Sequence, residues 1–409
     1  MTTQRNTRYQ WLLIGILSAN FGVVFFDRNA FAFLTPFIQP DMQLSNTQIG
    51  LIAASFAFAW AIAGLFMGSL SDRFGRRKMI LVVATLVFSL ASVLSGVAGT
   101  FIALLGARML MGIAEGGIMP ITQTLIAAEV DPKRRGLAHG ITQNFGANVL
   151  ANFLGPIVIV AMANAVGWRH AFWLVALPGF LMAALIALFV REPTHLDRHE
   201  KPTWARAAAL LTDRTILVCI VMSVFLVPYL VIFSVFTPLY LVQVKNIDTQ
   251  TMSWIMSSFG LASIAIAFLV PGLSDRLGRK PVAIVASLLG VFIPLGVVLI
   301  DSTSMWPYCF AIAAGASISG VFPLAMATVP SEIVRPGLTA TALSLTMGIS
   351  EIIGGVLAPS LAGKAADTWG LSAPQWIIFG LAIATSVAAL LLRETAPRVL
   401  AQRQAVAAQ

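Results

Sequence analysis

Apolar stretches long enough to cross a lipid bilayer recur twelve times along this chain of 409 residues. A bilayer core is about 30 Å thick, so a helix needs about 20 mostly apolar residues to span it. In lipid the backbone must satisfy its own polar groups, which favours helices. We therefore predict an all-α integral membrane protein with twelve transmembrane helices. Their predicted bounds are 10–38, 48–70, 79–98, 100–127, 137–164, 171–190, 215–242, 251–272, 282–300, 305–329, 339–363 and 375–392.

The composition excludes most soluble enzymes. Hydrophobic residues make up 58% of the chain and charged residues only 11%, whereas about 25% of a soluble domain is charged. The two cysteines, Cys219 and Cys309, lie in apolar runs and form no zinc-binding or disulfide pattern. No nucleophile–base pair appears within the spans. The sequence predicts no enzyme activity, no cofactor and no metal site.

The net charge of +9 reflects topology, because the basic residues are unevenly placed. If the N-terminus is cytoplasmic, 21 of the 26 Lys and Arg residues fall in cytoplasmic segments and three in outer loops. This asymmetry is what the positive-inside rule describes. We predict a multi-pass protein of a bacterial inner membrane (the plasma membrane), with both termini cytoplasmic. The lipid bilayer is then a partner of the basic residues, and nucleic acid is not.

An internal repeat divides the chain into two halves. Residues 72–76 (Asp-Arg-Phe-Gly-Arg) return at 275–279 as Asp-Arg-Leu-Gly-Arg, 203 residues later. Pro120, Glu129 and Pro156 recur at the same offset as Pro323, Glu332 and Pro359. Duplicated six-helix halves are common in secondary transporters. The predicted division is an N-terminal half at 1–190, a cytoplasmic linker at 191–214, a C-terminal half at 215–393 and a cytoplasmic tail at 394–409.

The loop after the second span carries a recognisable motif. It reads Gly68-Ser-Leu-Ser-Asp72-Arg73-Phe-Gly75-Arg76-Arg77-Lys78. It resembles the signature loop of the major facilitator superfamily, and Arg108-x-x-x-Gly112 resembles a second motif of that superfamily. The second copy of the loop begins with Pro271 where the pattern prefers Gly. The resemblance covers nearly the whole chain and implies that the loop acts as a conformational latch. The latch residues are then Gly68, Asp72, Arg73, Gly75, Arg76, Asp275 and Arg276.

Five ionisable residues lie inside predicted spans, where each costs about 2.5–3.5 kcal/mol to insert. They are Asp27, Arg28, Arg108, Glu115 and Glu351. Arg108 and Glu115 are two turns apart and share a helix face, whereas the adjacent Asp27 and Arg28 point to different neighbours. Such residues are functional candidates by default. The alternatives are structural pairing between helices and, for Arg108, snorkelling to the membrane surface.

A polar stripe marks the fifth span. Asn144, Asn148 and Asn152 are spaced by four and share one face, which should meet a cavity or a partner helix; interhelical hydrogen bonding alone is the alternative. Asn148 corresponds to Glu351 in the repeat, which predicts pseudo-symmetric positions in a central cavity. Aromatic residues of the second half are further candidates, although packing or the interface belt also explains them. The predicted substrate-binding residues are Arg28, Asn144, Asn148, Glu351, Tyr229 and Trp254.

The intramembrane charges suggest coupling between an anion and protons. Fully ionised, the five groups sum to −1, a bound carboxylate makes −2, and one proton restores −1. Anion binding should therefore favour proton uptake, and the linkage is reciprocal. We predict proton-coupled uptake of a small organic anion, with Arg28 as a bidentate clamp. Asp27, Glu115 and Arg108 form the predicted proton-coupling group.

A second resemblance concerns the substrate class. Asp27-Arg28-Asn29 and Glu115-Gly116-Gly117-x-x-Pro120 resemble the anion:cation symporter branch of the superfamily, which includes sugar-acid and sialin-like carriers. The resemblance implies that Asp27 and Glu115 carry protons and that Arg28 engages the carboxylate. Glu351 matches no position of that branch; it would tune substrate choice or act as a third proton site. Sugar acids, aromatic acids and small dicarboxylates all fit this pattern.

Two other functions stay open at this stage. A drug-efflux antiporter of the same fold would carry G-x-x-x-G-P-x-x-G-G in the fifth span, and only Gly155-Pro156 of that pattern is present. A membrane receptor would need an output domain, for which little sequence is left outside the spans. We expect a monomeric transporter.

Overall fold

The computed structural model describes residues 7–131, 134–142, 146–192, 210–334 and 338–401. Side chains are described at these positions except at 65, 68–74, 136, 139, 339 and 340. Within these ranges the regular elements are helices and no strand occurs. Twelve of the described helices are long and apolar enough to cross a membrane. The predicted fold class, an all-α integral membrane protein, is confirmed.

The twelve spans are numbered α1 to α12 in chain order. Their bounds are Thr7–Met42, Asn46–Phe74, Arg77–Val97, Phe101–Glu129, Ala147–Val166, Trp168–Phe189, Arg214–Gln243, Thr249–Leu277, Arg279–Leu299, Trp306–Ile333, Thr341–Trp369 and Ser372–Leu390. A short helix, Arg135–Gly140, precedes α5. Most predicted bounds lie within a few residues of these. The largest difference is at α5, whose described part begins ten residues after the predicted start at 137.

Polar residues at the helix starts explain where several spans begin. Before α2, the Ser45 hydroxyl accepts a hydrogen bond from the Gln48 amide at 3.1 Å, and the Gln48 side chain accepts one from the Ser45 amide at 2.9 Å. This reciprocal capping box satisfies amides that the first helical turn leaves unpaired. Thr100, Asp213 and Asp248 cap α4, α7 and α8 in a similar way.

The chain divides into two compact units, Met1–Arg198 and His199–Gln409. In the first unit α3 packs against α6, and α2 packs against α4. In the second unit the corresponding pairs, α9 with α12 and α8 with α10, are also in contact. The two units therefore repeat one helix-packing scheme, as the 203-residue offset predicts.

Irregular turns also recur at matching places in the two units. A π-helical segment occupies Ala147–Leu154 in α5, and another occupies Glu351–Leu357 in α11. Span α4 is broken after Glu115, and α10 contains a 3-10 segment over Ala316–Gly320. Such irregular turns often occur at functional sites. Here they carry several of the residues that the sequence marks as candidates.

Candidate functional site

Arg28 and Glu115 form an ion pair between two spans of the first unit. Arg28 Nε donates to Glu115 Oε2 at 3.0 Å. The Glu115 side chain is 1% exposed and that of Arg28 is 22% exposed. Glu115 is the last residue of its α-helical segment, before the turn at Gly116. Removing one partner of such a buried pair typically costs about 3–5 kcal/mol, because it leaves an uncompensated charge.

Three aromatic rings surround the Arg28 guanidinium, and we call Phe25, Phe56 and Trp60 the aromatic rim. Their ring centroids lie 4.7, 4.6 and 5.5 Å from Arg28 Cζ, respectively. Phe56 and Trp60 are four residues apart on α2, so they share a helix face. A cation over an aromatic face gains about 0.5–2 kcal/mol, and more when water is absent. The rim therefore stabilises the charge of Arg28 inside an apolar span.

The terminal nitrogens of Arg28 have no hydrogen-bond partner among the described residues. Within the described part of the chain, Arg28 makes its side-chain hydrogen bond through Nε alone. Its two Nη groups offer four N–H donors in one plane, a geometry that matches a carboxylate. Glu115 Oε1 is likewise buried without a hydrogen-bond partner among the described residues. Among the described residues, both members of the ion pair therefore have polar atoms that can still form a hydrogen bond.

Asp27 lies in a separate environment from its neighbour Arg28. It is fully buried, and its Oδ1 accepts a hydrogen bond from the Ser92 hydroxyl of α3 at 2.7 Å. The Ser92 hydroxyl also contacts the Phe172 carbonyl of α6 at 3.2 Å. Asp27 Oδ2 has no partner in the described ranges. A buried carboxyl group can bind a proton on its unused oxygen without breaking the hydrogen bond to its other oxygen.

Arg108 is buried within the first unit and does not snorkel, since only 2% of it is exposed. Its guanidinium carbon lies 5.0 Å from the Phe31 ring centroid and 5.4 Å from that of Phe172. Arg108 Nη1 contacts Met111 Sδ at 2.9 Å, whereas Nε and Nη2 lack partners among the described side chains. Arg108 does not pair with Glu115 across their shared face. Asp27 and Glu115 are both close enough to interact with its charge electrostatically.

A chain of amide side chains joins α1 to α5. Asn29 Nδ2 donates to Asn152 Oδ1 at 3.0 Å, and Asn152 Nδ2 donates to Asn148 Oδ1 at 3.1 Å. Asn148 and Asn152 lie in the π-helical segment of α5. The predicted polar stripe therefore meets a partner helix at Asn29. Asn144, the third predicted member, lies outside the described residues.

Glycines let α2 and α4 approach closely beside the ion pair. A Cβ atom on Gly116 would lie 2.7 Å from the Trp60 carbonyl oxygen, and one on Gly112 would overlap the Phe56 carbonyl oxygen. These are the backbone groups of two aromatic-rim residues. The contact of α2 with α4 therefore sets how near the rim stands to Glu115.

The three candidates of the second unit differ in their surroundings. Tyr229 is fully buried, and its hydroxyl donates to the Gly290 carbonyl of α9 at 2.6 Å. Its predicted place in a binding site stays a proposal. Trp254 is 46% exposed in the second turn of α8. Glu351 begins the π-helical segment of α11 and is partly exposed.

The loop predicted to act as a latch contains a tight turn. Gly75 has a φ of +62°, and its counterpart Gly278 has a φ of +112°. L-residues with side chains rarely adopt such values. Arg76 and Arg276 are exposed. Three predicted latch residues, Gly68, Asp72 and Arg73, have side chains outside the described set.

In the second copy of the loop, Arg279 connects three elements. It forms ion pairs with Asp275 at 2.6 Å and with Glu332 at 2.7 Å. Its amide and that of Lys280 donate to the Glu394 carboxylate at 2.7 and 3.3 Å. Glu394 therefore caps the start of α9, where unpaired amides and the helix dipole favour an anion.

The first copy of the loop is capped in the same way. Glu192 accepts hydrogen bonds from the amides of Arg77 and Lys78, at 2.5 and 3.0 Å. Neither Glu192 nor Glu394 is among the residues predicted from the sequence to have a role in these loops. Glu192 follows α6 and Glu394 follows α12, so a search for repeated acidic residues in the sequence could have found both.

The aromatic rim and Ser92 are also missing from the sequence predictions. Aromatic residues and serines are frequent in membrane spans, so composition alone does not mark them. A spacing of four between Phe56 and Trp60 is the available signal. It predicts a shared face but not the cation that the face meets.

Twelve apolar helices in two matching units, with charges paired inside the spans, define a polytopic protein of the secondary-transporter type. Residues 17–355 match the family model described as Major Facilitator Superfamily. The chain belongs to this superfamily. It is a multi-pass membrane protein of a transporter family and not an enzyme.

Individual relatives include transporters of organic anions. The probable sulfoacetate transporter SauU of Cupriavidus necator is 30% identical over 192 residues, which are 47% of this chain and 44% of the relative. The hexuronate transporter of Bacillus subtilis is 32% identical over 259 residues, 59% of this chain and 60% of the relative. The chain thus matches about half the length of these two proteins.

A relative with another printed role matches over more of the chain. The multidrug resistance protein MdtL of Escherichia coli is 27% identical over 364 residues, 87% of this chain and 88% of the relative. Among solved structures, a D-xylose–proton symporter has a TM-score of 0.78 at 18% identity, over 95% of this chain and 99% of that chain. The structural likeness at this identity concerns the fold alone.

Proposed function

We propose that this protein is a secondary active transporter that takes up a small organic carboxylate together with protons. The observation that carries the proposal is the Arg28–Glu115 pair inside the spans of the first unit. Among the described residues, Arg28 forms its hydrogen bond through Nε alone, which leaves its terminal nitrogens for a ligand, and Glu115 Oε1 has no partner. The sulfoacetate and hexuronate relatives support an anionic substrate.

In this proposal, different residues of the first unit bind the substrate and the protons. Arg28 binds the substrate carboxylate through its Nη groups, and Glu115 takes up a proton on Oε1 as the substrate's charge competes with it for Arg28. Asp27 holds a second proton, with Arg108 as the charge that keeps Asp27 ionised until substrate arrives. The linkage between anion and proton is reciprocal, so each ligand strengthens the binding of the other.

The remaining predicted roles belong to the same proposal. Asn144, Asn148, Tyr229, Trp254 and Glu351 are proposed to contact the rest of the substrate. The two loops at 68–76 and 275–276 are proposed to act as conformational latches. The protein is proposed to be a monomer of a bacterial inner membrane with both termini in the cytoplasm.

Uptake into proteoliposomes tests the proposal. An inward proton gradient should drive accumulation of a radiolabelled carboxylate, and a protonophore should abolish it. Arg28→Gln should abolish uptake and binding together. Arg169→Gln, which removes an arginine outside this site, should retain both. Accumulation that survives the protonophore would contradict proton symport, and carboxylate binding retained by Arg28→Gln would contradict the clamp.

Proton-coupled efflux on the same fold is the second candidate, because MdtL matches the chain over 364 residues. Efflux by antiport requires protons and substrate to move in opposite directions. Everted vesicles distinguish the two functions. A proton gradient directed out of the vesicle drives substrate accumulation in an antiporter and not in a symporter.

A further inference from the structure

We propose that the aromatic rim selects the kind of carboxylate that binds Arg28. The preferred substrate carries a planar, unsaturated or aryl carbon next to its carboxyl group, and polyhydroxylated acids bind weakly. This inference rests on the proposed function, because it needs Arg28 to bind a carboxylate. It adds a substrate class to that function.

The occupied and free edges of Arg28 fix where the ligand carboxylate lies. Glu115 holds Nε, so the side edge of the guanidinium is already used. The end formed by Nη1 and Nη2 has no hydrogen-bond partner among the described residues, and the side chain as a whole is 22% exposed. A carboxylate bound there with two parallel hydrogen bonds lies in the guanidinium plane. Its first carbon then points outward along that plane.

The rim lines the approach to this free end. Phe25, Phe56 and Trp60 lie within 4.6–5.5 Å of Arg28 Cζ, and each ring is only partly buried. Because all three rings lie against the same guanidinium, we infer that their exposed parts form the surface next to the carbons that follow the carboxyl group. Planar carbons can stack on such rings in offset or edge-to-face geometry.

Hydroxyl groups find few partners on this surface. Phe25 and Phe56 carry no polar side-chain atom, and Trp60 offers a single N–H donor. Next to Arg28 in the chain, Asn29 already donates through Nδ2 to Asn152 Oδ1, and Asn152 Nδ2 donates to Asn148 Oδ1. A substrate with a hydroxyl on every carbon would place some of these hydroxyls against the rings, where they have no hydrogen-bond partner. Each unpaired hydroxyl lowers affinity by about tenfold or more.

Three six-carbon monocarboxylates test the inference, because they share a carboxyl group and chain length. Sorbate is planar and unsaturated, hexanoate is saturated and flexible, and gluconate is polyhydroxylated. Binding to the purified full chain is measured for each by isothermal titration calorimetry. We expect sorbate to bind more tightly than hexanoate, and gluconate to bind at least tenfold more weakly than sorbate.

Two rim variants and one control assign the selectivity to the rim. Phe56→Tyr adds one hydroxyl to an unchanged ring and should lower the sorbate-to-gluconate affinity ratio by about threefold or more. Trp60→Leu removes a ring and should weaken sorbate binding while changing gluconate binding little. Phe58→Leu changes a ring between these two positions that is 46% exposed. It should leave the ratio at its original value.

The outcomes separate this inference from the proposed function. Gluconate binding as tightly as sorbate, with dependence on Arg28 intact, would overturn the rim selectivity and leave the carboxylate transporter standing. A ratio that Phe56→Tyr and Trp60→Leu leave unchanged would also overturn it. If none of the three acids binds, or if Arg28→Gln binds them as well as the original protein, both fail together.

Discussion

At the scale of single residues, the site depends on charges held where water is scarce. Arg28, Asp27, Arg108 and Glu115 all lie in the first unit, and three of the four are at most 2% exposed. Four of their polar atoms have no hydrogen-bond partner among the described residues. Buried polar atoms are rarely left unpaired in stable folds. Unused atoms on three charged groups are consistent with the proposal that these residues exchange partners during transport.

Glu115→Gln tests the proton role of this residue. Glutamine keeps the size of the side chain and can still accept a hydrogen bond from Arg28, but it cannot take up a proton. We expect the variant to exchange labelled substrate across the membrane and to lose accumulation driven by a proton gradient. Counterflow and gradient-driven uptake in the same proteoliposomes measure the two activities.

The matched control for that variant is Asp301→Asn. Asp301 is also an acid in an ion pair, but its side chain is 89% exposed and lies between α9 and α10. It should retain both activities, since a surface ion pair contributes about 1 kcal/mol or less. Gradient-driven accumulation retained by Glu115→Gln would remove Glu115 from the coupling mechanism.

The sequence identifies which residues matter at this scale but not all of their partners. The insertion cost of a charge marks Arg28, Asp27, Arg108 and Glu115 without any structural knowledge. Helical spacing places Arg108 and Glu115 on one helix face, whereas the structure pairs Glu115 with Arg28. The spacing of residues along one helix does not show which neighbouring helix packs against it. The contact between α1 and α4 therefore could not be predicted from spacing.

At the scale of helices, close packing of α2 on α4 holds the aromatic rim in place. Gly112→Ala should displace α2, because the new Cβ would overlap the Phe56 carbonyl oxygen. Overpacking of this kind costs about 1–3 kcal/mol. We expect a lower unfolding temperature and weaker carboxylate binding, measured by thermal unfolding and calorimetry of the purified protein.

Gly106→Ala is the internal control for the packing of α4. Gly106 lies on the same helix, and a Cβ there would meet nothing within 4 Å. This variant should leave binding unchanged and keep or raise the unfolding temperature, since Ala favours helix over Gly by about 1 kcal/mol. Equal effects of the two substitutions would contradict a specific role for the α2–α4 contact.

A second helix-scale prediction concerns the cap on α9. Glu394→Gln keeps the shape of the side chain but removes the negative charge that faces the amides of Arg279 and Lys280. A charge at a helix N-terminus contributes about 0.3–1 kcal/mol at the surface and up to about 2 kcal/mol when partly buried. We expect a lower unfolding temperature, and Glu192→Gln should act similarly on α3. An unchanged unfolding temperature in both would show that these contacts contribute nothing to stability.

The helices are predicted well by hydropathy, and their irregular turns are not. The number of spans and most of their bounds follow from runs of apolar residues. The π-helical segments at Ala147–Leu154 and Glu351–Leu357 do not. They depend on how neighbouring helices re-satisfy the backbone hydrogen bonds that such a turn shifts. Hydropathy averages over these local changes.

At the scale of the whole molecule, the repeat is the feature that the sequence predicts best. The offset of 203 residues and the matching helix pairs of the two units describe the same duplication. The charges do not follow it, because Arg108 and Glu115 correspond to Ala311 and Ile318. A duplicated scaffold therefore carries its charged site mainly in one unit.

The proposed orientation can be measured directly. A fluorescent protein fused after residue 409 should fluoresce in intact bacteria, because such fusions fold in the cytoplasm. Alkaline phosphatase fused at position 44, between α1 and α2, should be active, because it requires the periplasm. The distribution of 26 Lys and Arg residues is the physical reason for both outcomes. The opposite pair of results would contradict the proposed topology.

Proton movement caused by the substrate tests the central claim of coupled uptake most directly. Liposomes that contain the protein and an internal pH-sensitive dye receive a carboxylate from outside with no proton gradient imposed. Symport predicts acidification of the interior beyond the slow rate of liposomes that contain Arg28→Gln, which report passive entry of the acid. No acidification above that rate, or alkalinisation of the interior, would contradict proton-coupled uptake.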